Sequence, residues 1–294
     1  MQPREQIVKA FDGLDLLTRR YDPSPGDNNG CDRSLVIVHG ASEHGRRYDH
    51  VARMFADRGW TVIVSDNRGH GLSGGVPMHV HRFDDYLRDL DTLLEHHHLN
   101  PQRTALLGHS FGSLICARFA QTRPDKLAAL VMLAPLLRLA VEVNPLIVGW
   151  GKLVSLIAPR VRFTSRVNPR DTTRDLARLT ERSADPLIHR SITCGWFFQM
   201  QAALRDVWAE RSALRLPLLV VQGGADRIVD PEVAAPWLEQ VPSHDKEFRL
   251  LDDHYHELHN EPDWLDILQA VAEWLEDRVG QSPSSVLSLP IARS

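Results

Sequence analysis

The 294-residue sequence is poor in cysteine and lysine, with Cys31, Cys116 and Cys194 as its only thiols and Lys9, Lys126, Lys152 and Lys246 as its only lysines. Three widely spaced thiols make neither a disulfide framework nor a zinc pattern. There is no basic excess: 34 Lys and Arg stand against 38 Asp and Glu, for a net charge of −4. No counterion release would therefore drive binding to a phosphate backbone, and a nucleic-acid partner is excluded. No stretch of about 18 uncharged apolar residues is present to cross a bilayer. The opening MQPREQIVKAFDG has no apolar secretory core. The expectation is a soluble cytoplasmic protein, with peripheral contact to a membrane surface left open. A content of 43% hydrophobic and 24% charged residues is that of a globular chain, and the length suits one large α/β domain or two small ones. There are no internal repeats.

What is there is an alternation of strands and helices. Residues 5–22 predict two short strands around Asp12-Gly13. Residues 22–32, DPSPGDNNGCD, are loop by their Pro, Gly and Asn content. Short apolar runs predict buried parallel strands at 34–38, 60–64, 104–107, 129–133, 218–221 and 247–251. Helical spacing lies between them at 48–58, 83–95, 114–121, 232–240 and 264–278. This order predicts an α/β fold: a mostly parallel central sheet flanked by helices. The alternation stops between 136 and 213, where only helical patterns are read. That stretch is too long for a loop. It is expected to be a helical cap inserted after the sixth strand, over the sheet edge where such folds hold ligands. Residues 1–135 and 214–279 would form the core, and 280–294 a mobile tail.

Gly108-His109-Ser110-Phe111-Gly112 fits G-x-S-x-G, a pattern that a chain of this length matches by chance about one time in ten. Its context is more specific, since a strand enters and a helix leaves, as at a nucleophile elbow. Ser110 would present its hydroxyl at a helix N-terminus, where developing negative charge is favoured; the alternative is that Ser110 only caps that helix. A serine needs a base, and the base an orienting acid, in the chain order Ser, acid, His. Asp226, past a strand end and a Gly-Gly turn, is the expected acid. Asp230 is its competitor but better fits the N-cap of the helix opening at Pro231. Three histidines, His254, His256 and His259, follow the next strand, and spacing does not choose among them. His256-Glu257-Leu258-His259 is one residue short of a zinc-binding H-E-x-x-H, so no metal is expected. Neighbouring residues of a helix point about 100° apart, so His96-His97-His98 is expected to decorate a solvated helix end.

Four segments together resemble the monoacylglycerol lipase and lysophospholipase branch of the α/β-hydrolase superfamily, which includes hydrolases of the serine aminopeptidase S33 type. They are HGASEHGRRY (39–48), DNRGHGLSGG (66–75), GHSFGS (108–113) and YHELHNE (255–261), with GADRIVD (225–231) in support. The resemblance spans about residues 5–278. It implies that His256 is the base and His259 structural. It also implies an oxyanion hole from the backbone N–H groups of Ala41 and Phe111. His39 and His70, each before a glycine, read as structural hydrogen bonders. Two departures stand out: Phe111 replaces the family's usual Met, and Ser113 follows Gly112 where the elbow often closes with two glycines. Both would narrow the acyl site without removing a catalytic group.

Within 136–213, Leu146, Ile147, Trp150, Leu153, Val154 and Ile157 fall on one helical stripe, and Trp196, Phe197, Phe198 and Met200 form a second apolar cluster. Leu146, Ile147, Trp150, Trp196 and Phe197 are candidate acyl-binding residues, and the stripe could instead touch a membrane. The expected activity is hydrolysis of monoacylglycerols or similar single-chain acyl esters, with no cofactor. A lysophospholipase and a short-chain carboxylesterase are the alternatives. An aminopeptidase using Glu142, Glu181 or Glu210 to hold an amine is a further one, and a non-catalytic receptor the last. An epoxide or haloalkane hydrolase is disfavoured, since the elbow carries Ser rather than Asp and 136–213 contains no Tyr.

Overall fold

A computed structural model describes residues 2–23, 32–140, 145–165 and 167–280, with the side chains of 145–148 outside that description. The chain opens with a hairpin, β1 (Arg4–Lys9) and β2 (Asp15–Tyr21), that turns at Gly13. Then come β3 (Ser34–Val38), α1 (Asp49–Asp57), β4 (Thr61–Ser65), α2 (Asp84–His96), β5 (Thr104–His109), α3 (Phe111–Thr122) and β6 (Ala129–Leu133). The insertion holds α4 (Pro145–Ile157), β7 (Arg162–Thr164), α5 (Leu176–Ala184), β8 (Ser191–Thr193) and α6 (Cys194–Ala209). The alternation resumes with β9 (Leu218–Gly223), α7 (Ala234–Glu239), β10 (Lys246–Leu251) and α8 (Trp264–Glu276).

Eight strands form one sheet in the order β1-β2-β4-β3-β5-β6-β9-β10. The six from β4 to β10 are parallel, and β2 is antiparallel to both neighbours. Strands β3, β5, β6 and β9 are buried along their whole length, which is why they read as unbroken apolar runs. One apolar layer joins α2, α3, α6 and α7 to one face, and a second joins α1 and α8 to the other. Strand order reverses around β3, which lies between β4 and β5. Ligands of open α/β sheets bind beyond the strand ends at such a reversal. His39-Gly40-Ala41 leaves β3 at that point, and Ser110 leaves β5 beside it.

Between 136 and 213, where only helical patterns are read from the sequence, β7 and β8 pair antiparallel, Arg162 with Thr193 and Thr164 with Ser191. Three-residue strands are too short to display an alternating pattern. The histidine run also departs in part. His96 and His98 are exposed at the end of α2, but His97 is buried near Gln6 of β1, and burial lowers its imidazole to about 4. No helix among the described residues is long and apolar enough to cross a membrane. Residues 281–294 of the expected tail lie outside the described residues, as do Glu142 and the side chains of Leu146 and Ile147.

Candidate active site

Ser110 sits between β5 and α3 with φ 54° and ψ −117°, in a region a side chain rarely occupies. Its flanking glycines have a steric cause. A Cβ on Gly112 would collide with the carbonyl oxygen of Val38, and one on Gly108 would lie 2.6 Å from the Ser113 backbone. The Ser110 side chain does not cap α3. Instead its hydroxyl donates to His256 Nε2 at 2.8 Å. His256 Nδ1 donates to Asp226 Oδ2 at 2.7 Å. The other Asp226 oxygen accepts the backbone N–H groups of Ile228 and Val229, at 2.8 and 3.0 Å. All three residues are buried. Two further glycines let the acid and the histidine loop meet: a Cβ on Gly223 would lie 2.5 Å from the carbonyl oxygens of His254 and Tyr255, and one on Gly224 2.6 Å from that of Asp252.

The electrostatics follow the geometry. Burial alone would raise the Asp226 carboxyl, but His256 and the two backbone donors outweigh it and hold the group below the ordinary carboxylate range. Burial alone would lower the His256 imidazole, but Asp226, with smaller help from Glu257 and Glu43, holds it above its ordinary value. A histidine hydrogen-bonded to both Ser110 and Asp226 is arranged to take a proton and hand it on.

The competing residues have other partners. Asp230 caps the turn before α7 by accepting Glu232 N–H at 2.9 Å, and it pairs with Arg138. His254 Nε2 lies 2.8 Å from Asp263. His259 is buried, stacked on Tyr48 with ring centroids 4.2 Å apart. His39 Nδ1 donates to the Gly40 carbonyl and its Nε2 accepts Asn67 N–H, while His70 Nδ1 donates to the Arg68 carbonyl. Glu181 pairs with Arg178 and Glu210 with Arg118. Among the described residues, no hydrogen bond engages the amide of Ala41 or of Phe111. Ser42, next to Ala41, and Ala134, past β6, also have positive φ, at 64° and 41°. Backbone strain thus gathers where β3, β5 and β6 end.

Beneath the site lies a buried charged network to which the sequence reading assigned no role. Glu43 Oε1 accepts Gly40 N–H and Tyr48 O–H, each at 2.7 Å, and lies 3.2 Å from His109 Nδ1. Arg47 bridges Glu43 and Glu257, reaching the latter at 2.7 and 3.1 Å. His109 Nε2 donates to the His256 carbonyl at 3.1 Å. Burial opposes ionisation of Glu43, yet Arg47 and His109 hold it well below its ordinary value. Glu43, His109 and His259 stand at metal-ligand spacing, but the protein donors around Glu43 Oε1 occupy the lone pairs a cation would need. The signal was present in HGASEHGRRY; its partner Glu257 lies 210 positions further along.

Phe111 is enclosed by Phe83, Tyr86 and Trp196, with its ring 4.8 Å from the Trp196 ring. Trp196 is only 4% exposed, and its Nε1 donates to the Tyr86 hydroxyl at 3.1 Å. Phe197 packs edge-on against Phe163 and Phe198. Trp150 is instead 72% exposed.

A family model described as serine aminopeptidase, S33, matches residues 31–263. The chain belongs to that family. It is 31% identical to monoglyceride lipase of Rattus norvegicus over 95% of this chain and 92% of that protein. It is 28% identical to phospholipase YtpA of Bacillus subtilis over 83% of this chain and 95% of the relative. An uncharacterized abhydrolase domain-containing protein of Dictyostelium discoideum is 29% identical but much longer, and the matched region is 27% of it. The crystal structure of Paleococcus ferrophilus monoacylglycerol lipase superposes with a TM-score of 0.80 at 26% identity, covering 89% of this chain and 98% of that one. The fold is that of the α/β-hydrolases, in the branch that holds these lipases.

Proposed function

We propose that the chain is a serine carboxylic-ester hydrolase acting on monoacylglycerols, with Ser110 as nucleophile, His256 as base and Asp226 as the acid that orients it. The observation that carries this reading is the hydrogen-bonded relay from Ser110 through His256 to Asp226. Kinship with monoglyceride lipases supports the substrate class. Residues 136–213 act as the cap over a core made of 1–135 and 214–279.

In the reaction, His256 Nε2 takes the Ser110 proton as the oxygen attacks the ester carbonyl. The amides of Ala41 and Phe111 receive the oxyanion. His256 then protonates the leaving glycerol oxygen as the carbon–oxygen bond breaks. Water, deprotonated by the same imidazole, attacks the acyl-enzyme, and Ser110 recovers its proton as the fatty acid leaves. Trp196 and Phe197 wall the acyl chain, at about 0.8 kcal/mol for each methylene buried.

The exposed side chains of Trp150, Leu153, Leu156 and Ile157 on α4 support peripheral contact with a membrane surface, where the substrate resides. The reading places the enzyme in the cytoplasm. A lysophospholipase is the second reading, favoured by the similarity to phospholipase YtpA. Hydrolysis of monoolein, lysophosphatidylcholine, triolein and an aminoacyl amide, each with and without EDTA, tests the assignment. Monoolein should be cleaved fastest and EDTA should have no effect. Equal rates on triolein, or activity lost to EDTA and restored by zinc, would overturn it. Faster cleavage of lysophosphatidylcholine would favour the second reading.

A further inference from the structure

The insertion does more than lie over the site; part of it holds the loop that carries His256. Glu257 N–H donates to the Thr172 carbonyl at 2.6 Å, and Thr173 Oγ1 donates to the Asn260 carbonyl at 2.7 Å. Arg174 binds Glu261 through its backbone N–H and its guanidinium. On the oxyanion side, His189 N–H donates to the Ser42 carbonyl at 2.9 Å, and Asp185 pairs with His44 at 2.7 Å. Between these two grips, α5 sends Arg182 inward to Glu257, 3.4 Å away, with the Arg182 side chain only 10% exposed.

The charges explain why an arginine stands there. Glu43 and Glu257 are buried and both contact Arg47; His109 is beside Glu43, so a single shared guanidinium is left to Glu257 unless a second cation reaches it. An uncompensated buried charge is costly. Arg182 is the fourth member and brings two carboxylates and two guanidiniums into balance. The network touches the three segments that flank the reacting atoms: Gly40 N–H before Ala41, His109 before Ser110, and Glu257 after His256.

We propose that Arg182 is a positioning residue: carried by the cap, it neutralises Glu257 and thereby fixes the loop and the electrostatic field of His256, so that seating of the cap and readiness of the base are one event. This rests on the reading of Ser110 and His256 given above. The ionisable groups facing His256 are Asp226, Glu257, Glu43 and His109, with Arg47, Arg182 and His259 behind them. Removing the Arg182 charge leaves net negative charge beside the imidazole, which favours its protonated form and moves the acid limb of the rate to higher pH. Removing the Glu257 charge does the reverse.

The test compares full-length wild type, Arg182→Met, Arg182→Lys, Glu257→Gln and the double variant Arg182→Met with Glu257→Gln. The readout is kcat/KM for p-nitrophenyl butyrate against pH, a soluble ester that needs no membrane docking. Arg182→Met should move the acid limb up by roughly half a unit to one unit and lower kcat about tenfold, with a smaller effect on KM. Arg182→Lys should restore most of the loss. Glu257→Gln should move the limb down, and the double variant should return it close to the wild-type position. A merely structural arginine would leave the limb unmoved in folded Arg182→Met and displaced alike in Glu257→Gln and the double variant, and that result overturns the proposal. If Arg182→Met does not fold, Glu257→Gln and the double variant decide: limbs displaced alike overturn it, and a return in the double variant supports it. Fluorophosphonate labelling of the wild type separates the underlying reading. No label at Ser110 overturns that reading and the proposal with it, whereas a labelled Ser110 with an unmoved limb in Arg182→Met overturns the proposal alone.

Discussion

Helices α4 and α6 belong to the same insertion, and in the sequence both are apolar stripes, yet they meet opposite surroundings. Helix α6 buries Trp196, Phe197 and Met200, and it anchors Trp196 through a hydrogen bond to Tyr86. Helix α4 turns Trp150, Leu153 and Ile157 to solvent, with Ile157 80% exposed, and leaves Gly151 toward the Phe198 ring. An apolar stripe states that a face is costly to hydrate; it does not state what covers it. Trp196 has both an apolar cage and a partner for its N–H, as a buried indole requires. The α4 face has neither among the described residues. The insertion is thus fixed to the core along 172–209 and presents a greasy outer helix.

The largest effect that sharpens this contrast is on stability. Trp196→Ala should destabilise the fold by about 3–5 kcal/mol, seen as a lower midpoint in urea unfolding, because the cage around Phe111 cannot collapse onto the void. A loss below about 1 kcal/mol would mean that α6 is not anchored as described. Next comes the outer helix. The triple variant Trp150→Ala, Leu156→Ser, Ile157→Ser should cleave monoolein in phosphatidylcholine vesicles roughly tenfold more slowly, with soluble p-nitrophenyl butyrate unaffected. Equal losses on both substrates would place α4 in the acyl site instead.

The third effect is on pH. On the proposed mechanism His256 works as a neutral base, and Asp226 holds its imidazole above its ordinary value. The rate should therefore rise with pH through an inflection above about 6.5. Asp226→Asn removes the raising charge and should move the inflection down, while the α4 triple variant should leave it in place. A displaced inflection in the α4 variant would break the contrast between the two regions. The smallest effect is Trp150→Ala alone, which should change stability by no more than about 0.5 kcal/mol in the same urea titration.

The parallel core and the tight strand–turn–helix around Ser110 were legible because their causes are local. Apolar runs such as Ser34–Val38 report burial on both faces, and Gly108 and Gly112 report close backbone approach. The capping role of Asp230 was legible because it precedes a proline that opens a helical turn, and it caps that turn. The three histidines could not be separated by spacing, since His254, His256 and His259 share one loop and differ only in what they face. The Glu43–Arg47–Glu257 network was hidden for the same reason: charged residues read as solvated until the fold supplies their partners from distant segments. The direction of the α4 stripe and the brief β7–β8 pairing likewise depend on contacts rather than on composition.

The central claim is that Ser110, activated through His256 and Asp226, attacks the ester. Its most direct test is the steady-state hydrolysis of monoolein by Ser110→Ala, alongside a circular dichroism spectrum to establish that the fold is intact. The account predicts a fall in kcat of about 10⁴-fold or more, since members of such a triad act as a unit. A folded variant that kept more than about a tenth of the wild-type rate would contradict it.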